Sequence, residues 1–125
     1  MAADPAPNQF RELMLDDEPT LDEVMACVFG VQDHEVRTYE ALLDYPESTV
    51  EELASELDRD RSNVNRSLST LREKGLASRR RRLLDGGGHV YQYAATPRAE
   101  AAELMHETLD EWADYVHDRI DEFGR

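Results

Sequence analysis

Residues 49–80 read TVEELASELDRDRSNVNRSLSTLREKGLASRR, and two helical patterns separated by a short polar turn decide the fold of this chain. Ser48 or Thr49 can cap the first helix, because a hydroxyl residue three positions before a glutamate forms a capping box. Residues 58–60 predict the turn, and the second helix is expected over residues 61–74. The stretch therefore predicts a helix-turn-helix unit.

Two more helices are predicted before this stretch. Thr20 can cap a helix that ends at Gly30, and Asp33 can cap a helix that ends at Pro46. Apolar residues recur in both at three- and four-residue spacing, as expected for helices that bury one face. Residues 1–19 contain three prolines and few apolar residues, so we predict a loose arm with one helical turn.

After the helix-turn-helix, the pattern of apolar residues changes from that of a helix to that of extended strands. Two strands are predicted over residues 76–84 and 89–95, and the glycine-rich segment 85–88 between them predicts a β-hairpin. Thr96, as the cap, and the proline that follows it start a last helix that reaches Phe123. A long helix is therefore expected to follow the hairpin.

The order of these elements is that of a winged helix-turn-helix, with the hairpin as the wing. The predicted fold class is mainly α (α+β). Three parts are expected: the loose N-terminal arm at residues 1–19, the winged helix-turn-helix at 20–96, and a C-terminal dimerisation helix at 97–125. A chain of 125 residues has room for one compact domain of this kind.

Charge is distributed in blocks along the sequence. The whole chain carries a formal net charge of −14, whereas residues 59–98 hold ten basic residues against three acidic ones. A basic block on an otherwise acidic chain predicts a surface that binds a polyanion.

The second helix of the motif has two different faces. At about 100° per residue, Val64, Leu68 and Leu71 form one apolar stripe. Ser62, Arg66, Ser69 and, one turn later, Glu73 lie opposite this stripe, and Asn63, Asn65 and Thr70 flank them. The residues predicted to contact bases or adjacent phosphates are Ser62, Asn63, Asn65, Arg66 and Ser69. Arginine binds guanine and asparagine binds adenine through paired hydrogen bonds, so this face suits the major groove of DNA. A merely solvated face is the alternative, but residues 61–72 contain no acid, unlike the other helices.

Contacts to the DNA backbone are predicted for the surrounding arginines. They are Arg59, Arg61, Arg79, Arg80, Arg81 and Arg82. On the hairpin, strand alternation sends the first and third of the last four arginines to one face and the second and fourth to the other. Tyr91 and Tyr93 share a strand face; stacking on arginine stems or on a base is one role for them, and core packing beneath the wing is expected for at least one. Exposed ion pairs with acidic neighbours are the alternative role for these arginines.

Residues 29–84, with the quoted helix-turn-helix and first wing strand, resemble MarR-like and TrmB-like transcription regulators. The resemblance implies a sequence-specific regulator whose partner is double-stranded DNA. Thirteen of the fourteen basic residues are arginine, and with the acidic total this resembles proteins of haloarchaea. Within that group the chain looks like small winged-helix regulators of the reactive-oxygen response. A winged helix that binds another protein and no nucleic acid is the alternative function.

The last helix carries an apolar seam with three- and four-residue spacing. The predicted interface residues are Met105, Leu109, Trp112, Val116 and Ile120. This spacing is typical of a coiled coil, and a seam of about five turns outruns a domain of this size. We therefore predict a two-fold homodimer on a pseudo-palindromic DNA site. Packing of the stripe on the first helix of its own domain is the alternative.

No enzyme activity, metal site or cofactor is predicted, and the sequence indicates no effector. The glycine-rich segment 85–88 is a hairpin tip that neither follows a buried apolar strand nor opens a helix, and no pattern of nucleophile and base occurs. One stripe of the last helix carries Glu103, His106, Asp110, Asp114 and His117. A metal site there is a minor alternative, since such spacing arises easily by chance on an acidic helix.

The single cysteine, Cys27, excludes an internal disulfide. It lies close to an apolar stripe and has no basic neighbour in sequence that would favour the thiolate, so packing is predicted rather than redox sensing. No apolar run is long enough for a membrane span, and the chain is expected to be soluble and cytoplasmic.

Overall fold

The computed structural model describes residues 20–125 of the chain. Within that range the elements are α1 Leu21–Phe29, α2 Asp33–Asp44, α3 Val50–Leu57, α4 Arg61–Glu73, β1 Ala77–Leu83, β2 His89–Ala95 and α5 Arg98–Phe123. Their order and type confirm the predicted winged helix-turn-helix with a hairpin wing and a long last helix. The prediction of a loose arm at residues 1–19 lies outside the described residues.

Hydroxyl caps start α1 and α3. The Thr20 side chain accepts a hydrogen bond from the Glu23 backbone N–H at 3.2 Å. At α3, Thr49 forms the cap: its hydroxyl accepts from Glu52 N–H at 3.2 Å, and its own N–H donates to Glu52 Oε1 at 3.0 Å. Ser48 is not the cap, because its hydroxyl donates to the Tyr45 carbonyl at 2.7 Å.

Two predicted caps differ by one residue from the observed ones. Gln32, not Asp33, precedes α2, because the Gln32 N–H donates to Glu35 Oε1 at 2.7 Å and the helix begins earlier. Pro97, not Thr96, precedes α5. The Thr96 hydroxyl instead donates to the Gly75 carbonyl at 2.7 Å, so it joins the two ends of the hairpin.

The α3 cap makes stability depend on pH. The pKa of Glu52 is lowered, chiefly by the hydrogen bond from the Thr49 backbone N–H. A lowered pKa means that this contribution is present above the ordinary carboxyl range and is lost as the pH falls through the lowered value. We therefore expect Glu52→Gln to lower the urea midpoint at neutral pH, and the difference from wild type to disappear in acid. Glu107→Gln, at an exposed position within α5, is the matched control that leaves the midpoint unchanged.

The core lies where α2, α3, α4 and the hairpin meet. Val64, Leu68 and Leu71 of α4 are completely buried, as the sequence predicts. They belong to one cluster with apolar residues of every other helix and of the two strands. The Tyr39 hydroxyl donates to the Thr96 carbonyl at 2.6 Å and so links α2 to the end of the hairpin. The buried stripe of α4 thereby fixes which of its faces is exposed.

Leu68→Ala tests this packing. We expect the free energy of unfolding to fall by about 2–5 kcal/mol, because the change removes a fully buried side chain and leaves a cavity. Leu83→Ala is the control: Leu83 is 72% exposed, so its loss shifts stability by no more than about 0.5 kcal/mol. Urea titration followed by circular dichroism measures both. Equal effects of the two substitutions would contradict the placement of α4.

The wing is an antiparallel hairpin anchored to the domain. Its register pairs Arg79 with Tyr93 and Arg81 with Tyr91, and the turn contains two glycines with positive φ, Gly87 and Gly88. The Tyr93 N–H also donates to the Ser48 carbonyl at 2.8 Å. The base of the hairpin is thus attached to the segment before α3, which fixes the wing relative to the helix-turn-helix.

The last helix extends well beyond the core. It has 26 residues, or about 39 Å at ~1.5 Å per residue, and it packs chiefly against α1. Ala101 and Met105 are its buried residues, whereas most side chains after Leu109 are exposed. In residues 20–125, no helix combines the length and the apolar character that crossing a bilayer requires.

Candidate nucleic-acid interface

The exposed side of α4 has the composition that the sequence predicts. The reading face is defined by Ser62, Asn63, Asn65, Arg66 and Ser69, and all five residues are exposed. They lie on or beside the side opposite the buried stripe, within residues 61–72, a stretch of about three turns without an acid; Glu73 follows as the last residue of the helix. The structure thus brings the predicted base-contacting residues together on one surface.

The N-terminal end of α4 carries an acid that the sequence reading left out of the site. Asp60 precedes the helix, and its Oδ2 accepts a hydrogen bond from the Ser62 hydroxyl at 2.6 Å. This bond holds Ser62 toward the helix end rather than toward a ligand. Arg61, the next residue, lies 3.8 Å from Glu51 in an exposed ion pair. Such pairs are worth about 0–1 kcal/mol, so Arg61 can exchange Glu51 for a phosphate at little cost.

The wing arginines are held in different ways. The Arg79 guanidinium lies 3.9 Å above the centre of the Tyr91 ring, and His89 meets the same ring edge-on at 5.3 Å between centroids. Arg80 forms an ion pair with Glu47 at 3.0 Å on the other face of the hairpin. The predicted alternation of the arginines is confirmed by the strand register. Tyr93 is buried, so the core role expected for one of the two tyrosines is confirmed.

A groove separates the wing from α4. This wing groove has a volume of about 600 Å³, and its walls are the first turn of α3, the N-terminal half of α4 and β2. Arg61 and Asn65 stand on one side, and Arg79 and Tyr91 stand on the other. The stacked guanidinium therefore faces α4 across a groove and is preorganised by an aromatic ring.

Arg59 occupies a position that the sequence did not indicate. The sequence predicts Arg59 as a contact to the DNA backbone; in the structure the residue is partly buried in the turn before α4 and lines a pocket with Asn63 and Arg66. Arg59 follows Asp58, which has a left-handed φ of 51° in the turn between α3 and α4, and it lines a pocket together with residues at the start of α2.

The predicted interface of α5 needs one correction. Met105 is only 8% exposed and belongs to the core of its own domain, because this part of α5 packs against α1. Leu109, Trp112 and Ile120 are 38%, 46% and 58% exposed, and Val116 is partly buried. Two further large apolar side chains, Tyr115 and Phe123, are exposed on the same half of the helix. Spacing alone does not show where a helix leaves its own core.

The other reactive side chains form no site of their own. Across residues 20–125 no three His, Cys, Asp or Glu side chains lie close enough together to hold a metal ion. Cys27 is partly buried, and burial raises the pKa of its thiol, which disfavours the reactive thiolate.

The fold and the exposed face of α4 define a winged helix-turn-helix protein of the transcription-regulator class. A family model described as sugar-specific transcriptional regulator TrmB matches residues 25–99. The chain therefore belongs to the TrmB family, as the resemblance in its sequence implied. The matched family consists of regulators rather than enzymes.

The chain is also similar, over most of its length, to two relatives and to one solved structure. Two uncharacterised proteins of Methanocaldococcus jannaschii are 33% and 34% identical to the chain, over 82% and 74% of it and over 78% and 77% of their own lengths. A possible transcriptional regulator from Methanosarcina mazei has the same fold, with a TM-score of 0.72 at 24% identity, covering 89% of this chain and 97% of that one.

A more distant structure also shares the fold. It is a mutant of Staphylococcus aureus MepR bound to an oligodeoxyribonucleotide, with a TM-score of 0.53 at 15% identity. The match covers 91% of this chain and 80% of that one.

Proposed function

We propose that the protein is a sequence-specific regulator that binds double-stranded DNA as a homodimer on a pseudo-palindromic site. In this proposal α4 enters the major groove and the wing follows the flanking backbone. The observation that carries it is the acid-free stretch of α4 over residues 61–72 beside four consecutive arginines, on a chain with a net charge of −14. Charge of this distribution directs a polyanion to one surface of the molecule.

The reading face offers hydrogen-bonding groups suited to base edges. Arg66 stands near its centre and can donate two hydrogen bonds to a guanine, and Asn65 or Asn63 can pair with an adenine. The serines are small enough to let the helix backbone come close to the bases. The face exposes no aromatic or aliphatic anchor of the kind that dominates protein–protein interfaces, which favours DNA over a protein partner.

The backbone contacts follow from how each arginine is held. Arg79 is the best placed, because Tyr91 already orients its guanidinium toward the wing groove. On binding DNA, Arg61 would leave its ion pair with Glu51, and Arg80 its ion pair with Glu47, and each would contact a phosphate instead. Arg81 and Arg82, both exposed near the hairpin tip, complete the set that we assign to phosphates.

The second half of α5 supports the homodimer. The seam of Leu109, Trp112, Val116 and Ile120 extends about four turns past the last buried residue, Met105. We assign this dimer seam to a second copy of the chain, because a two-fold pairing of identical helices buries the same stripe on both. The two copies of α4 would then be about 34 Å apart, matching successive major grooves.

The proposal includes a high salt concentration as the condition under which the protein binds DNA. The arginine bias and the acidic total favour a cytoplasm of high ionic strength, where the Debye length is about 3 Å at 1 M salt. Under those conditions the acidic flanks do not repel DNA beyond contact distance. Counterion release also contributes less, so specificity depends on base contacts and DNA shape. A role in the reactive-oxygen response is part of this proposal and is supported by the sequence resemblance.

A binding selection tests the proposed function. Duplexes would be selected by the purified protein from a random library of about 30 base pairs, or three helical turns, at high salt. Fluorescence anisotropy then compares the selected duplex with a scrambled one. We expect at least about 10³-fold tighter binding to the selected sequence, with two inverted half-sites in it. The MepR structure with an oligodeoxyribonucleotide shows that this fold can accept DNA in that protein. Equal affinities, or no binding wherever the protein is folded, would favour the protein-interaction alternative.

A further inference from the structure

A polar pocket lies beside the reading face, on the side away from the wing. It is formed by the start of α2, the turn before α4 and one flank of α4, and its volume is about 360 Å³. We call it the Arg59 pocket. Besides Arg59, its lining includes Asn63 and Thr70 of α4 and, at the rim, Arg66.

The guanidinium of Arg59 is incompletely bonded. Its Nη1 is buried, and no acceptor for it is found in residues 20–125. A buried charged donor without an acceptor is costly, and structures keep one mainly where a ligand, ion or water completes it. The missing partner must be an acceptor, and for a guanidinium the strongest acceptors are carboxylates and phosphates.

The remaining groups of the pocket leave room for an anion. Glu35 contributes the one carboxylate of the lining, and its Oε1 already accepts the Gln32 N–H at 2.7 Å. The His34 ring is held by Ser67 at 3.0 Å and by Gln32 at 2.9 Å, so its orientation is fixed. Two arginines against one carboxylate give the lining a net positive charge.

We propose that the Arg59 pocket binds a phosphate group. Arg59 lines the pocket with its Nη1 covered, so the guanidinium turns toward the pocket when it donates to the phosphate oxygens, and the Asn63 amide and Thr70 hydroxyl supply further donors from the lining. The phosphate can come from the DNA backbone beside the groove that α4 enters, which rests on the proposed function. It can also come from a free phosphorylated ligand, which would compete with DNA at the edge of the reading face.

Titration with inorganic phosphate tests the pocket without DNA. The arginine Nε–H signals of the labelled protein are followed by NMR in chloride buffer at constant ionic strength. We expect saturable shifts for wild type and at least about tenfold weaker binding for Arg59→Gln. Asn63→Asp, at an exposed position that does not threaten folding, should weaken binding as well, because it adds a negative charge to the lining. Arg37→Gln, exposed on α2 outside the pocket, is the control that leaves phosphate binding unchanged.

A second measurement identifies the source of the phosphate. The selected duplex is prepared with one neutral methylphosphonate at a time. If one position weakens binding by wild type but not by Arg59→Gln, the DNA backbone fills the pocket. If phosphate binds and no such position exists, a free phosphorylated ligand is the source. Two results together overturn the inference. Phosphate binding by the protein does not depend on Arg59, and no methylphosphonate position weakens binding by wild type without also weakening binding by Arg59→Gln. Failure of the protein to bind any duplex would count against the proposed function, and the phosphate titration would still decide the pocket.

Discussion

Leu109→Glu combined with Ile120→Glu is expected to give a monomer that binds a two-half-site duplex at least about 100-fold more weakly than wild type. Both side chains are exposed in the single chain, so the domain itself should keep its fold. In the proposed dimer each new carboxylate would face the apolar seam of the other copy without a partner, which is strongly destabilising. Once the copies separate, each half-site must be bound alone and the gain from linked binding is lost.

The measurements are sedimentation velocity for the oligomeric state and anisotropy for DNA. Ser55→Glu combined with Ala99→Glu is the matched control, because it adds two carboxylates at exposed positions outside the dimer seam. That variant should remain dimeric and lose little affinity, which separates dimer loss from general repulsion of DNA. A wild-type protein that sediments as a monomer would contradict the dimer, as would a double variant that still sediments as a dimer.

The elements themselves could be predicted from sequence because local patterns determine them. The buried stripe of Val64, Leu68 and Leu71 follows from helical periodicity, and Gly30 ends α1 with a φ of 71°, a value glycine adopts without strain. The hairpin is predicted by two strand patterns on either side of the glycine-rich segment 85–88. The same local logic put the five residues of the reading face on one exposed side.

What could not be predicted depends on contacts between distant residues. Thr96 does not cap α5, because its hydroxyl donates to the Gly75 carbonyl, 21 residues earlier in the chain. The cap of α2 is a local exception, since Gln32 bonds to a carboxylate only three residues on. Met105 fits a coiled-coil spacing and yet belongs to its own core, because α1 covers that part of α5. A periodic stripe shows which face is apolar but not what covers it.

In the candidate site, too, the sequence shows local patterns but not the contacts between distant residues. The four wing arginines were visible as a run, but their individual roles depend on partners such as Tyr91 and Glu47, which only the folded chain brings near. Arg59 is the clearest case, since a charged residue in a polar turn carries no sequence signal for burial. The structure therefore adds the distinction between arginines that are stacked, paired or buried.

Arg66→Ala is expected to remove the preference for one base pair in each half-site. A guanidinium that donates to guanine O6 and N7 contributes about 1–3 kcal/mol of discrimination, so the variant should lose about 5- to 150-fold affinity for the selected duplex. It should also bind duplexes with any base at that position equally well. Anisotropy against all four base pairs at each position, with wild type and variant, measures this loss.

Arg72→Ala is the control, because Arg72 is an exposed arginine of α4 outside the reading face and its loss removes the same charge from the same helix. Its pattern of base preference should match that of wild type. Arg66→Ala could instead weaken binding to the selected and the scrambled duplex equally and reduce the slope of log affinity against log salt concentration by about one. Arg66 would then contact the DNA backbone. That result would move Arg66 from the reading face into the Arg59 pocket, whose rim it forms, and base recognition would then rest on Asn63, Asn65 and Ser69.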